Sequence, residues 1–165
     1  MSSLRLTTTS YLVLGLVERC QPATPYDIKR AAQDSTDNFW TVAHTQLYSE
    51  CSRLAREGLL DERQEQTGRR RKLYRITDAG RAAFDAWRSK PVGEALELRD
   101  PGILKLFFGA DPKPLARAQL AAHEQQLAKY REWTKLPMPE GGRLALECGL
   151  GHEREYIRYW KKLAG

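Results

Sequence analysis

Apolar residues recur in a helical rhythm through the first third of the chain. Leu12, Val13, Leu16 and Val17 form an i, i+1, i+4, i+5 stripe preceded by hydroxyl residues able to cap it, which predicts a helix over residues 9–19. Thr24-Pro25 then reads as an N-cap followed by a first helical residue, with Asp27 near the positive helix end, so a second helix runs to about Gln33. After a polar break at residues 34–38, Val42, Leu47, Cys51 and Leu54 mark the buried face of a third helix. It ends at Glu57-Gly58, with Gly58 as its left-handed terminal residue.

Residues 59–64 and 72–76 are short strand-compatible runs joined by a polar segment containing Gly68, the pattern of a hairpin. Thr77-Asp78 opens a fourth helix through about Ser89, broken by Lys90-Pro91-Val92-Gly93. Helix, helix, helix, hairpin is the order of a winged helix-turn-helix. The expected fold is therefore mainly α with a small β-hairpin: a winged helix-turn-helix domain over residues 1–90, then an α-helical domain over residues 91–165.

In the second part, residues 100–109 predict a short amphipathic helix. Residues 112–135 predict a long one, with Leu120, His123, Leu127, Tyr130 and Thr134 at alternating three- and four-residue steps, and residues 143–163 a last one. Leu120, Leu127, Leu146, Leu150, Ile157 and Trp160 form stripes expected to exceed what a monomer of this size hides, and so to be covered across a symmetric homodimer.

No long uncharged apolar run is present and the N-terminus lacks a secretory pattern, so no membrane partner and a cytoplasmic location are expected. Cys20, Cys51 and Cys148 are far apart and without a C-x-x-C, which points to buried free thiols and to neither disulfides nor a metal or cofactor. His44, His123 and His152 are isolated, and no H-E-x-x-H, phosphate loop or nucleophile elbow occurs, so no enzymatic activity is expected.

The net charge of +6 favours a polyanionic partner. Its placement is more telling: Arg69, Arg70, Arg71 and Lys72 are consecutive at the hairpin tip, where they are expected to lack partners within the domain and to meet phosphates or a minor groove of double-stranded DNA. If Leu47, Cys51 and Leu54 face the core, then His44, Thr45, Gln46, Tyr48, Ser49 and Ser52 face away, mostly near the N-terminal half that a reading helix presents to base edges. Two readings of that face stand: DNA contact, or simply the solvated side of an amphipathic helix; the alternative function is a module whose winged helix contacts another protein and whose basic wing is only a solubilising loop. For the Tyr48 ring, core packing and phosphate contact are both open.

The segment Phe39-Trp40 through Tyr48, with Arg53-Leu54 through Leu60, resembles the reading helix and wing entry of the PadR-like transcription regulators. Arg70 through Gly80 resembles their second wing strand and next helix, and Thr24 through Ile28 the opening of their second helix. Leu98 through Gly109 is similar to the entry of the dimerisation region in the subgroup resembling virulence-gene activators. This resemblance implies a homodimeric repressor, less often an activator, that binds an inverted repeat, with release by a small-molecule effector among the family's behaviours. Trp40, Trp87, Tyr130, Trp133, Tyr156 and Trp160 offer a lining for a small aromatic or apolar effector, against the alternative of core and interface packing. Two departures stand out: Ala43 replaces a common Ser before the reading helix, and Pro25 a common Gly.

Overall fold

The structure is a computed structural model that describes residues 5–66 and 70–165. It divides into two compact units, one ending at Glu94 and the other beginning at Ala95.

The first unit contains α1 (Thr8–Cys20), α2 (Pro25–Gln33), α3 (His44–Arg56), β1 (Leu60–Gln64), β2 (Lys72–Ile76) and α4 (Asp78–Arg88), with a 3-10 turn at Thr36–Asn38. Local chemistry sets each start. Thr7 and Ser10 exchange bonds in a capping box ahead of α1, and Thr24 does the same with Asp27 ahead of α2, with Pro25 at the first turn. Ala43 caps α3 without a side-chain bond, as expected from the missing hydroxyl. Gly58 has φ +75, where the Leu59 amide bonds back to the Leu54 carbonyl at 2.9 Å and ends α3.

The strands pair antiparallel with Leu60 opposite Ile76 and Gln64 opposite Lys72. On the other edge of β2, Ala23 and Tyr74 exchange backbone bonds of 3.1 and 2.9 Å, and Gln21 Oε1 accepts the Ile76 amide at 2.9 Å. The hairpin is thereby tied to the helix-turn-helix. Gly80 lets α4 pass the wing: a Cβ there would lie 2.1 Å from the Leu59 carbonyl oxygen.

One core fills this unit, with Val13, Leu14, Val17, Ile28, Leu47, Cys51 and Leu54 fully buried. Leu14, absent from the expected stripe of the first helix, is inside, while Leu12 is only partly buried against the core. Val42 is buried but precedes α3.

The second unit contains α5 (Pro101–Phe107), α6 (Pro112–Trp133) and α7 (Glu140–Ala164). Helices α6 and α7 run antiparallel, with Tyr130 against Gly149, His123 bonded to Glu153 and Lys161 beside Glu124. Leu127, Tyr130, Leu146, Leu150 and Ile157 form the shared core, with Leu120 partly buried against it. Trp160 is fully buried as well. This corrects the expectation that these stripes are too large for one chain to hide, because α6 covers α7 within the same chain. The apolar side chains left open in this unit are others, among them Leu104, Phe107 and Phe108.

A polar link crosses the same pair. His123 Nδ1 lies 2.6 Å from Glu153 Oε2, and the Tyr156 ring contacts both His123 and His152. Burial and then Asp100, which caps α5 through the Gly102 and Ile103 amides, push the Tyr156 phenol up. The thiols depart from expectation: Cys51 is buried, Cys20 half-buried and Cys148 exposed.

Candidate nucleic-acid interface

Helix α3 has two contrasting sides. Leu47, Cys51 and Leu54 are fully buried, while Thr45, Gln46, Tyr48 and Ser49 are exposed and His44 is half-buried. Tyr48 is 38% exposed and is not one of the buried core residues. Ser49 Oγ donates to the Gln46 backbone carbonyl at 3.1 Å, and Gln46 itself is exposed.

The inner edge of α3 is anchored by polar contacts. Arg53 bonds Glu50 through Nε at 2.9 Å and Nη2 at 2.7 Å, and Nη2 also donates to Ser10 Oγ on α1 at 3.0 Å. Burial pushes the Glu50 carboxyl up, but the bonds from Arg53 and Ser10 outweigh it and hold the group below its usual range.

The wing corrects one expectation. Arg71 and Lys72 are paired within the hairpin: Arg71 Nε and Nη2 reach Glu65 at 3.0 and 2.9 Å, and Lys72 Nζ reaches Glu62 at 2.8 Å. The antiparallel register causes this, since it sets Glu65 across from Arg71 and Glu62 one diagonal from Lys72. Arg70 is exposed in the left-handed region, φ +48, and its carbonyl accepts Gln64 Nε2 at 3.1 Å. Arg69 lies outside the described residues.

Glu62 and Glu65 are the site residues that sequence reading missed. Their signal was the hairpin register. Glu62 also accepts the Tyr74 hydroxyl at 2.8 Å, and Tyr74 in turn lies 3.5 Å from Ser52 of α3, so a chain of polar contacts joins wing to reading helix. Burial drives the Tyr74 phenol up to about 12 and keeps it protonated as the donor in that chain.

Ahead of α3, Phe39 and Trp40 are exposed, held by backbone bonds to Thr36. Of the other aromatic candidates, Tyr130 and Trp160 are buried and Trp87 stacks on Tyr11. Among the described residues no group of three or more His, Cys, Asp or Glu is placed to hold a metal ion, and no helix is long and apolar enough to cross a membrane.

Residues 13–86 match the transcriptional regulator PadR-like family. The chain is 30% identical to the negative transcriptional regulator PadR of Bacillus subtilis, over 93% of each sequence. The same regulator crystallised with operator DNA shares its fold at a TM-score of 0.84 and 24% identity, covering 96% of this chain and 98% of that one. Its complex with p-coumaric acid gives 0.76 at 22% identity over 97% of each chain. The Vibrio cholerae virulence activator AphA gives 0.66 at 22% identity, covering 95% of this chain and 96% of that one. With a two-sided α3, a hairpin locked to it and a likeness that runs nearly end to end, the chain belongs to the PadR-like family of transcriptional regulators.

Proposed function

We propose that the protein represses transcription as a homodimer that binds an inverted-repeat operator through α3 and the wing. The observation that carries this reading is the contrast across α3, where a wholly buried apolar side fixes the helix and an exposed polar side presents Thr45, Gln46, Tyr48 and Ser49. Short hydrogen-bonding side chains at the start of such a helix suit base edges in a major groove. The similar Bacillus subtilis protein is a negative regulator crystallised with operator DNA, which supports the same use here.

A dimer brings two such helices to two half-sites. The open apolar side chains Leu104, Phe107 and Phe108 of the second unit supply a surface for a second copy. The p-coumaric acid complex of the relative supports a small aromatic acid as the class of effector that releases DNA.

A mobility-shift series on genomic fragments at rising salt tests the reading. Binding whose log affinity falls linearly with log salt, with some fragments retained above the rest, is the expected result. A chain that shifts no fragment at low salt leaves the alternative of a protein-binding module, for which the exposed Phe39 and Trp40 are the candidate contacts.

A further inference from the structure

The wing carries its own counter-ions, and their placement is unusual for a hairpin whose tip is meant to seize phosphate. One carboxylate, Glu65, engages three donors of a single residue: the Arg71 backbone amide at 3.3 Å, Nε at 3.0 Å and Nη2 at 2.9 Å. The Glu65 amide also donates to the Arg71 carbonyl at 2.9 Å, which closes a further rung beyond the last strand pair. Glu65 is the more sheltered partner, its side chain 24% exposed against 60% for Arg71. Among the described residues of the basic run, Lys72 is matched by Glu62, and Arg70 is the cation to which no carboxylate is bonded.

From this geometry we propose that Glu65 is a specificity-determining residue of DNA binding, a built-in competitor that withholds Arg71 from ordinary phosphates and yields it only at sites of stronger negative potential. The proposal rests on the DNA-binding reading above and deepens it.

A guanidinium has five N–H donors in a planar fork. Glu65 occupies Nε and one proton of Nη2, so a phosphate meets only the remaining edge, with a carboxylate a few ångströms behind it. The arginine and glutamate together are neutral, so a phosphate at that edge displaces little condensed counter-ion and gains little attraction. Most random duplex offers no more than that. A narrowed minor groove concentrates negative potential and draws arginine more strongly, enough to exchange carboxylate for DNA. Glu65 therefore weakens binding everywhere but weakens it least at the right site.

The test uses the full chain, a random-sequence duplex and a duplex recovered by selection from genomic DNA, each titrated over a salt series with wild type, Glu65→Gln, Arg71→Ala and the double variant. Glu65→Gln keeps the side chain's size and removes its charge. Expected is a rise of roughly threefold to tenfold in affinity for random duplex, with the salt slope steeper by about one phosphate contact. The rise on selected duplex is smaller, so the ratio between the two falls. In the Arg71→Ala background the effect of Glu65→Gln disappears. An equal rise in both backgrounds reports bulk charge alone and overturns the proposal, as does an unchanged ratio or a loss of affinity in Glu65→Gln. Wild type that binds neither duplex overturns the DNA-binding reading itself, whereas binding by wild type with an inert Glu65→Gln overturns only the role of Glu65.

Discussion

Arg53 on α3 reaches back to Ser10 on α1, Nη2 to Oγ at 3.0 Å, while the same guanidinium grips Glu50. Ser10 is fully buried and its Oγ also accepts the Thr7 amide at 2.8 Å. One hydroxyl thus closes the start of α1 and ties α3 to it.

Ser10→Ala removes that acceptor and leaves a partly buried guanidinium and an amide short of a partner. A loss of about 1–3 kcal/mol in stability is expected, read as a lower urea midpoint with an unchanged slope. A midpoint equal to that of wild type would show that water replaces the hydroxyl without cost.

Gln46 is exposed in the first turn of α3. In Gln46→Ala, affinity for the preferred site should fall by about 1–3 kcal/mol while random-sequence affinity barely moves, the mark of a lost base contact. Thr45→Ala is expected to act in the same direction. An unchanged ratio of specific to random affinity in Gln46→Ala would shift sequence reading to His44, Ser49 or the wing.

Arg70 and Arg71 are neighbours with different surroundings, and their alanine variants should differ accordingly. Among the described residues no carboxylate is bonded to Arg70, so Arg70→Ala is expected to lower the salt slope by about one unit on any duplex. Arg71→Ala removes a cation already matched by Glu65 and should cost less on random duplex. Equal slopes in the two variants would contradict the difference between the two sites.

How far these features were legible in the sequence depended on whether the cause was local. Thr24-Pro25, Gly58 and the uncapped Ala43 act through their own backbone, and the structure shows each as expected. The buried side of α3 followed from spacing alone. Spacing also marked Leu127, Leu146, Leu150 and Ile157 as covered, but a period of about 3.6 residues does not say which surface does the covering. Arg71 and Lys72 look unpaired for a related reason: only the hairpin register sets Glu65 across from Arg71 and Glu62 diagonal to Lys72. The link among His123, Glu153 and Tyr156 joins positions on two helices, a juxtaposition that spacing within either helix does not reveal.

Asp27 gives the first unit an acid-sensitive contact. The Thr24 hydroxyl and amide, which donate to its Oδ2 at 2.7 and 2.9 Å, hold its carboxyl below the usual value of 3.8. A depressed folded value means the carboxylate stabilises the fold above about 3.8 and that this contribution fades as pH falls through the lowered value. Asp27→Asn should therefore be less stable than wild type at neutral pH, by about 1 kcal/mol or less, and the gap should close in acid. Melts followed across that range decide it, and a gap that persists in strong acid would assign the effect to packing.

The dimer contact is expected away from the apolar stripes of α6 and α7. Leu127, Leu146, Leu150 and Ile157 are spent on the packing of α6 against α7, so replacing them should unfold the second unit before it reports on assembly. Phe107 and Phe108 are 81% and 77% exposed at the end of α5, beside Leu104, and touch each other edge to face. Two adjacent phenyl rings left in water are costly unless something covers them, since burial of such a side chain is worth roughly 1.5–3 kcal/mol. Phe107→Glu with Phe108→Glu should leave helical content and melting temperature nearly unchanged at low concentration while shifting sedimentation from dimer to monomer. Random-sequence DNA binding by a single copy should survive, but affinity for an inverted repeat should drop steeply, because one half-site no longer recruits the other. A double variant that still sediments as a dimer would place the interface elsewhere, with Leu96, Leu98, Leu136, Leu144 and Tyr159 as further open apolar residues of the second unit to test.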